Sequence, residues 1–422
     1  MSSSIKRQNG MYIKYYSFGA ISLSRPHLFF VLLVVNKPKN CYLCRCIVRG
    51  CYGIYVRLTK LHTMTQERLN AIATQFMLEG QIETIEPLGE GFINDTFVVR
   101  SVGDAPDYIL QRKNHVVFPD VPGMMENIRA VTEHIKAKVA DPLRETLTLV
   151  AAKSGALYVK EDDNYWAMCL YIPRTVTYDR ADSVELAYQG GVGIGRFQAL
   201  LADFNTLLNE TIKGFHNIRW RFEQWDATLA ADPVGRAEGV AEEISWIEAR
   251  REQMMDFWAR VESGEIPVRV THNDTKISNI LFDGDSGKVL CAIDLDTVMS
   301  STSLNDFGDA IRSYTNRGAE DDRCLENVGM DIDMFEAYAE GYLSEQRATM
   351  CASEKEWLAF SARYITFEQV LRFLMDYIDG DRYYKTAYAD HNLVRTRAQY
   401  RLLQSMEQQY DAMCAIIRRL VQ

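Results

Sequence analysis

The stretch from Thr271 to Arg312 constrains this chain more than any other. Its centre, His272-Asn273-Asp274-Thr275-Lys276-Ile277-Ser278-Asn279, follows the strand-like run Pro267-Val-Arg-Val-Thr271. An Asp, four intervening residues and an Asn is the spacing of a loop in which the Asp takes a hydroxyl proton and the Asn holds magnesium. The apolar run Val289-Leu-Cys-Ala-Ile predicts a strand that delivers Asp294 and Asp296 at its end. Together these elements form a phosphoryl-transfer half-site. Asp274 is the candidate base, and Asn279 and Asp294 the candidate Mg²⁺ ligands, since that hard cation prefers oxygen. Asp296 is a second ligand or a support behind one. Lys276 is placed to offset charge on the transferred group.

The half-site needs a nucleotide-gripping partner, and 422 residues leave room for a second lobe. A net charge of −10 argues against a nucleic-acid partner. That charge is unevenly spread, because residues 1–63 hold ten Lys or Arg and no acid, leaving −20 for the rest. The same segment holds Cys41, Cys44, Cys46 and Cys51 and the apolar run Leu28–Val35, too short to span a bilayer. Zinc binding and lipid anchoring are weak readings of it, and no stable membrane association is expected. The preferred expectation is that Met64 is the true start. The five other cysteines have no motif spacing, as in reduced cytoplasmic proteins.

Beyond Met64, an amphipathic helix is expected to Leu78, then two strands flanking Gly89-Glu-Gly91. Glycines there let backbone N–H groups approach phosphate, with Asn94 in the same turn. In the next strand, Tyr108–Lys113, Arg112 is the expected phosphate cation. Glu126 or Glu133, on a helix from about Gly123 to Val139, is its expected partner. A hairpin over 147–172, turning at Lys153–Gly155, leads to Pro173, a hinge whose backbone near Leu170 would face adenine. Helices follow at about 182–208, 218–230, 238–262, 333–349, 353–379 and 392–421. The expected architecture is α+β and protein-kinase-like, with a small β-rich lobe (64–173) before a large helical one (174–422).

Asp306-Phe-Gly308 imitates a metal-binding motif but lies too far from Asp274. Asp306, Asp309 and Arg312 are expected instead to open a helix that buttresses the loop, with Asp306 at or near its N-cap. Glu368, Arg372 and Asp376 recur every four residues on one helix face, with Tyr383, Tyr384 and His391 in the loop beyond. Arg372, Asp376, Tyr383 and Tyr384 are candidates for a substrate site, and a salt-bridge ladder is an equal reading of Glu368 to Asp376.

These segments, with Met125-Glu-Asn-Ile128 and His391–Arg397, resemble the aminoglycoside phosphotransferase-like family, and within it the N-acetylhexosamine 1-kinases. The resemblance spans Met64 to the C-terminus. It implies ATP-dependent phosphorylation of the anomeric hydroxyl of N-acetylglucosamine or N-acetylgalactosamine, in cytoplasmic amino-sugar salvage, by a monomer. On matching positions it implies Asp274 as base, Asn279 and Asp294 as magnesium ligands and Arg112 as the nucleotide-lobe cation. Ser300–Asn305 departs from the turn expected there. The alternatives are a kinase for an aminoglycoside, choline or homoserine, and a nucleotide-binding scaffold without catalysis.

Overall fold

The computed structural model describes residues 65–89 and 94–422. The chain divides at Met64, and the unit Thr65–Gln422 is described by itself. The expectations for residues 1–63, and Gly91, lie outside the described residues.

The smaller lobe begins with α1 (Gln66–Ala73), capped by the Thr65 hydroxyl, which accepts from the Arg68 amide. The strands β1 (Ile82–Pro87), β2 (Asp95–Ser101) and β3 (Tyr108–Lys113) follow. Helix α2 (Val121–Lys136), capped by Asp120, precedes β4 (Val159–Glu161) and β5 (Asn164–Leu170). The strands form one antiparallel sheet in the order β4-β5-β3-β2-β1. The expected turn at Lys153–Gly155 is present, Gly155 N donating to Ala152 O and Ala152 N to Ala156 O at 2.8 Å, but the hairpin ladder lies further on: β4 and β5 turn at Asp162–Asp163, where Asp162 takes a φ of +53°. A short acidic side chain tolerates that left-handed backbone. Residues 148–150 pair instead with the end of β5, Val150 N donating to Met168 O at 2.8 Å and Leu170 N to Thr148 O at 2.9 Å.

The larger lobe opens with β6 (Thr175–Val176), α3 (Val184–Leu200), α4 (Ile218–Ala231), α5 (Ala241–Glu248) and α6 (Arg251–Glu262). Its catalytic segment comprises β7 (Arg269–Thr271), β8 (Ile280–Asp283), β9 (Val289–Ala292) and β10 (Met299–Ser301). The helices α7 (Ser303–Tyr314), α8 (Ile332–Gln346), α9 (Ala352–Asp379), α10 (His391–Gln408) and α11 (Tyr410–Leu420) complete it. Two expected helices are broken. The run 238–262 divides at Arg250, whose guanidinium forks onto Glu407 with two 2.7 Å bonds, and the run 392–421 divides at Gln409. Helix α3 stops at Leu200 rather than 208, ahead of the turn-forming Asp203, Asn205 and Thr206.

Two features of the core place the site. Helix α2 sets Met125, Ile128 and Ile135 against Ala292, Leu295 and Val298 of the catalytic segment, so it is packed on that segment as well as on its own sheet. Helix α7 lies so close to α9 that a Cβ on Gly308 would stand 2.3 Å from Ser361 O. The glycine of the apparent metal motif is thus a helix-packing residue. Gly308→Ala forces two backbones apart and is expected to cost about 1–3 kcal/mol, read as a lower Tm; an unchanged Tm would contradict the close approach.

Candidate active site

Pairing of β7 with β10 brings Thr271 opposite Met299, which brings the catalytic loop close to the segment after β9. The loop backbone is then pinned from α7. Asp306 accepts from the amides of His272 (2.9 Å) and Asn273 (2.7 Å) and from Gln198 Nε2 (2.7 Å). Asp309 accepts from the Thr275 amide at 2.9 Å and pairs with Arg312 at 3.0 Å. Burial raises the Asp306 pKa above the usual carboxylate value despite His272 and these donors. At Asp309 burial acts the same way, but Arg312 and His216 outweigh it and the pKa falls. The expected buttress is therefore present, with one correction: Thr302 is the N-cap, and Asp306 lies a turn further in, where its carboxylate reaches the loop.

Asn279 Nδ2 donates to both Asp274 O and Asp274 Oδ2 at 2.9 Å, and Lys276 Nζ lies 2.9 Å from the same carboxylate oxygen. The five-residue Asp–Asn separation is thus one turn of loop closed on itself. Burial works to lower the Lys276 pKa, yet Asp274, Asp294 and Asp309 prevail and raise it, so the ammonium stays charged. Asp294 does not end a strand as expected: β9 stops at Ala292, Asp294 has a φ of +56°, and Asp296 sits in a short 3₁₀ turn beyond it. Burial, then repulsion from Asp296 and Asp274, pushes the Asp294 carboxyl up to about 6. Asp296 is engaged from the other lobe, by Lys113 Nζ at 2.6 Å and Asn94 Nδ2 at 2.7 Å.

The nucleotide-side expectations need two corrections. Lys113, buried and bonded also to Gln111 Oε1 at 2.7 Å, is the β3 cation that reaches Asp296. Arg112 points from the opposite face and pairs with Asp95 in partial exposure. Glu126 and Glu133 both lie on the surface beside Arg129, at 2.9 and 3.1 Å, and are paired there rather than with Arg112. The inward residue of α2 is Asn127, whose Nδ2 donates to Asn209 O and Val298 O. Gly89 has a φ of +68°, a left-handed backbone that glycine adopts without steric cost. The hinge amides of Leu170 and Tyr171 already donate to Thr148 O and Asp107 O. A cleft lined by Ile109, Gln111, Met125, Leu149, Asp294 and Asp296 lies beside Lys113.

Behind the loop that carries Asp274, the expected ladder along α9 does not form. Glu368 is buried against His216 (2.5 Å) and Arg221 (3.1 Å), which together outweigh burial and hold its pKa well below the usual range. Asp376 anchors the following loop, accepting from the amides of Arg382, Tyr383 and Tyr384 and from Asn392 Nδ2 at 2.8–2.9 Å. These bonds make its carboxylate an anchor of that loop. Arg372 is framed by Phe215, Tyr383 and Tyr384, with ring centroids 5.6–5.9 Å from its guanidinium carbon. His391, bonded to Asp321 at 2.8 Å, is structural. Lys113, Asn127, His216 and Arg221 carried no expectation; only Lys113 had a signal, its place on the strand face opposite Arg112.

Residues 84–347 match the phosphotransferase enzyme family. Among solved structures, a spectinomycin phosphotransferase in complex with ADP and spectinomycin is similar, with a TM-score of 0.53 at 12% identity over 83% of this chain and 99% of that one. An aminoglycoside phosphotransferase from Alicyclobacillus acidocaldarius gives 0.50 at 13% identity over 83% and 95% of the two chains. A choline kinase from Cryptosporidium parvum gives 0.50 at 14% identity over 81% and 94%. These likenesses bear out the two-lobed kinase-like fold. With a match running from β1 through the catalytic loop to α8, this chain belongs to the phosphotransferase enzyme family.

Proposed function

We propose that this phosphotransferase moves the γ-phosphoryl group of ATP to the anomeric hydroxyl of N-acetylglucosamine or N-acetylgalactosamine, acting as a cytoplasmic monomer in amino-sugar salvage. Asp274 takes the proton of the acceptor hydroxyl, whose oxygen bonds to the γ-phosphorus as the bond to the β,γ-bridging oxygen breaks and ADP leaves. Lys276, 2.9 Å from Asp274, stands where it offsets charge on the transferred group. Lys113 replaces Arg112 as our choice for the phosphate cation, beside Gly89 and Asn94. No described helix is long and apolar enough to cross a membrane.

The donor set fits Mg²⁺. Asp294 is a carboxylate crowded by two others, a repulsion that a divalent cation relieves, and Asn279 adds an amide oxygen. Asp294 and Asn279 would hold the ion, which neutralises phosphate charge when bound; Asp296, already paired with Lys113, supports from behind.

The acceptor class rests on Arg372. Burial works to lower its pKa, yet its tyrosine neighbours and Glu368 keep it raised, and the guanidinium stands beside Phe215, the sequence neighbour of the His216 that bonds Asn273 O. Choline and aminoglycosides are cations and would meet like charge there. A neutral sugar offers hydroxyl and acetamido oxygens to the guanidinium and an apolar face to Tyr383 and Tyr384. The motif resemblance to N-acetylhexosamine 1-kinases narrows the sugar.

An acceptor panel with ATP, the product read by phosphorus NMR, should show an anomeric phosphate on an N-acetylhexosamine; phosphorylation of choline or kanamycin instead would overturn this reading. Arg372→Ala should raise the acceptor KM about 10–100-fold, the loss of one charged hydrogen bond, and leave the ATP KM unchanged; an unchanged acceptor KM removes Arg372 from the site. Asp294 supplies a stability test. Its folded pKa of about 6 exceeds that of a free aspartate, so its contribution is present at low pH and lost as pH rises through about 6. Near neutral pH the ionised group burdens the metal-free fold. Asp294→Asn should raise the metal-free Tm there, abolish turnover and remove stabilisation by added Mg²⁺; a lowered Tm would contradict the assignment.

A further inference from the structure

The peptide unit that joins Asn273 to Asp274 is gripped at both edges by histidines. Asn273 has a φ of +65°, a left-handed backbone that an Asn tolerates but that must be held. The Asp274 amide donates to His272 Nδ1 at 3.3 Å, while His272 Nε2 donates to Ile293 O at 2.8 Å, which fixes that ring's tautomer. On the other edge, His216 Nε2 donates to Asn273 O at 3.3 Å. Turning this peptide plane over would set Asn273 O toward an acceptor nitrogen and the Asp274 amide toward a donor. The two rings thus select one orientation.

His216 is itself built into the core. It is 4% exposed, lies in the connection between α3 and α4, and has a φ of +56°. Nδ1 sits 2.5 Å from Glu368 Oε2, Glu368 Oε1 accepts from Arg221 Nε at 3.1 Å, and the Tyr364 hydroxyl donates to His216 O at 2.7 Å. Glu368 precedes Arg372 by one turn of α9, so one helix anchors the ring behind the base and carries the acceptor-side guanidinium.

We propose that His216 is the positioning residue of the catalytic loop: its bond to Asn273 O, backed by Glu368, holds the peptide plane that aims the Asp274 carboxylate. This rests on Asp274 being the base. An error of an ångström in a reacting group costs about 10²-fold in rate, so loss of the bond should appear in kcat.

Two substitutions separate the bond from the fold. The amide of Asn, a residue that accepts left-handed φ, overlays Nδ1 and can reach Glu368 only; the longer Gln amide overlays Nε2 and can reach Asn273 O. His216→Asn is expected to keep a Tm near wild type, lose about 10²-fold in kcat and hold both KM values. His216→Gln is expected to recover most of the lost kcat. Steady-state kinetics with ATP and N-acetylglucosamine, or the acceptor identified by the panel, read this alongside Tm. Equal kcat for the two variants, or losses that only follow Tm, would overturn the positioning role. Asp274→Asn runs in parallel: if it stays active the base assignment fails, whereas an inactive Asp274→Asn with a fully active His216→Asn overturns the positioning role alone.

Discussion

The buried carboxylate of Asp306 is the interaction on which the site depends. A polar group is costly to bury unless its atoms are satisfied, and here three donors reach the Asp306 oxygens: two successive backbone amides of the catalytic loop and Gln198. Those two amides are the ones that set the direction of the chain entering Asp274. Because Gly308 lets α7 lie directly on α9, the same contact ties the loop to the helix that carries Glu368 and Arg372. The proposed base and the proposed acceptor-side Arg372 therefore share one rigid support, as a reaction that runs chiefly on positioning requires.

Across the cleft the problem is charge. Asp274, Asp294 and Asp296 converge, and two lysines from different lobes answer them: Lys276 on Asp274, Lys113 on Asp296. Asp294 is left with the raised pKa. In the proposed reading, the repulsion left at Asp294 is what a bound cation would relieve. Lys113 and Asn94 both reach Asp296 from the smaller lobe, so this buried carboxylate ties the two lobes together.

Much of this was legible in the residues. The Asp274–Asn279 separation, the apolar run before Asp294 and the strand-rich start marked the loop, its carboxylate and the two-lobed fold, since each is a local pattern. What escaped was set by tertiary contact. Alternation along β3 separates Arg112 from Lys113 but does not say which face turns inward, and either cation fits. On α2 the inward position is Asn127, one residue from the acid that charge pairing suggested. The breaks at Arg250 and Gln409 carry no Gly or Pro. The left-handed turn at Asp294, which separates it from Asp296, has no sequence mark, and His216 belongs to no motif.

Asp274 is proposed as the proton acceptor in an otherwise complete nucleotide site. Turnover and ATP affinity measured together on Asp274→Asn test it most directly. A fall in kcat of about 10²–10⁴-fold is expected, with ATP binding nearly intact by calorimetry. Near wild-type turnover, or ATP binding lost in step with kcat, would contradict it.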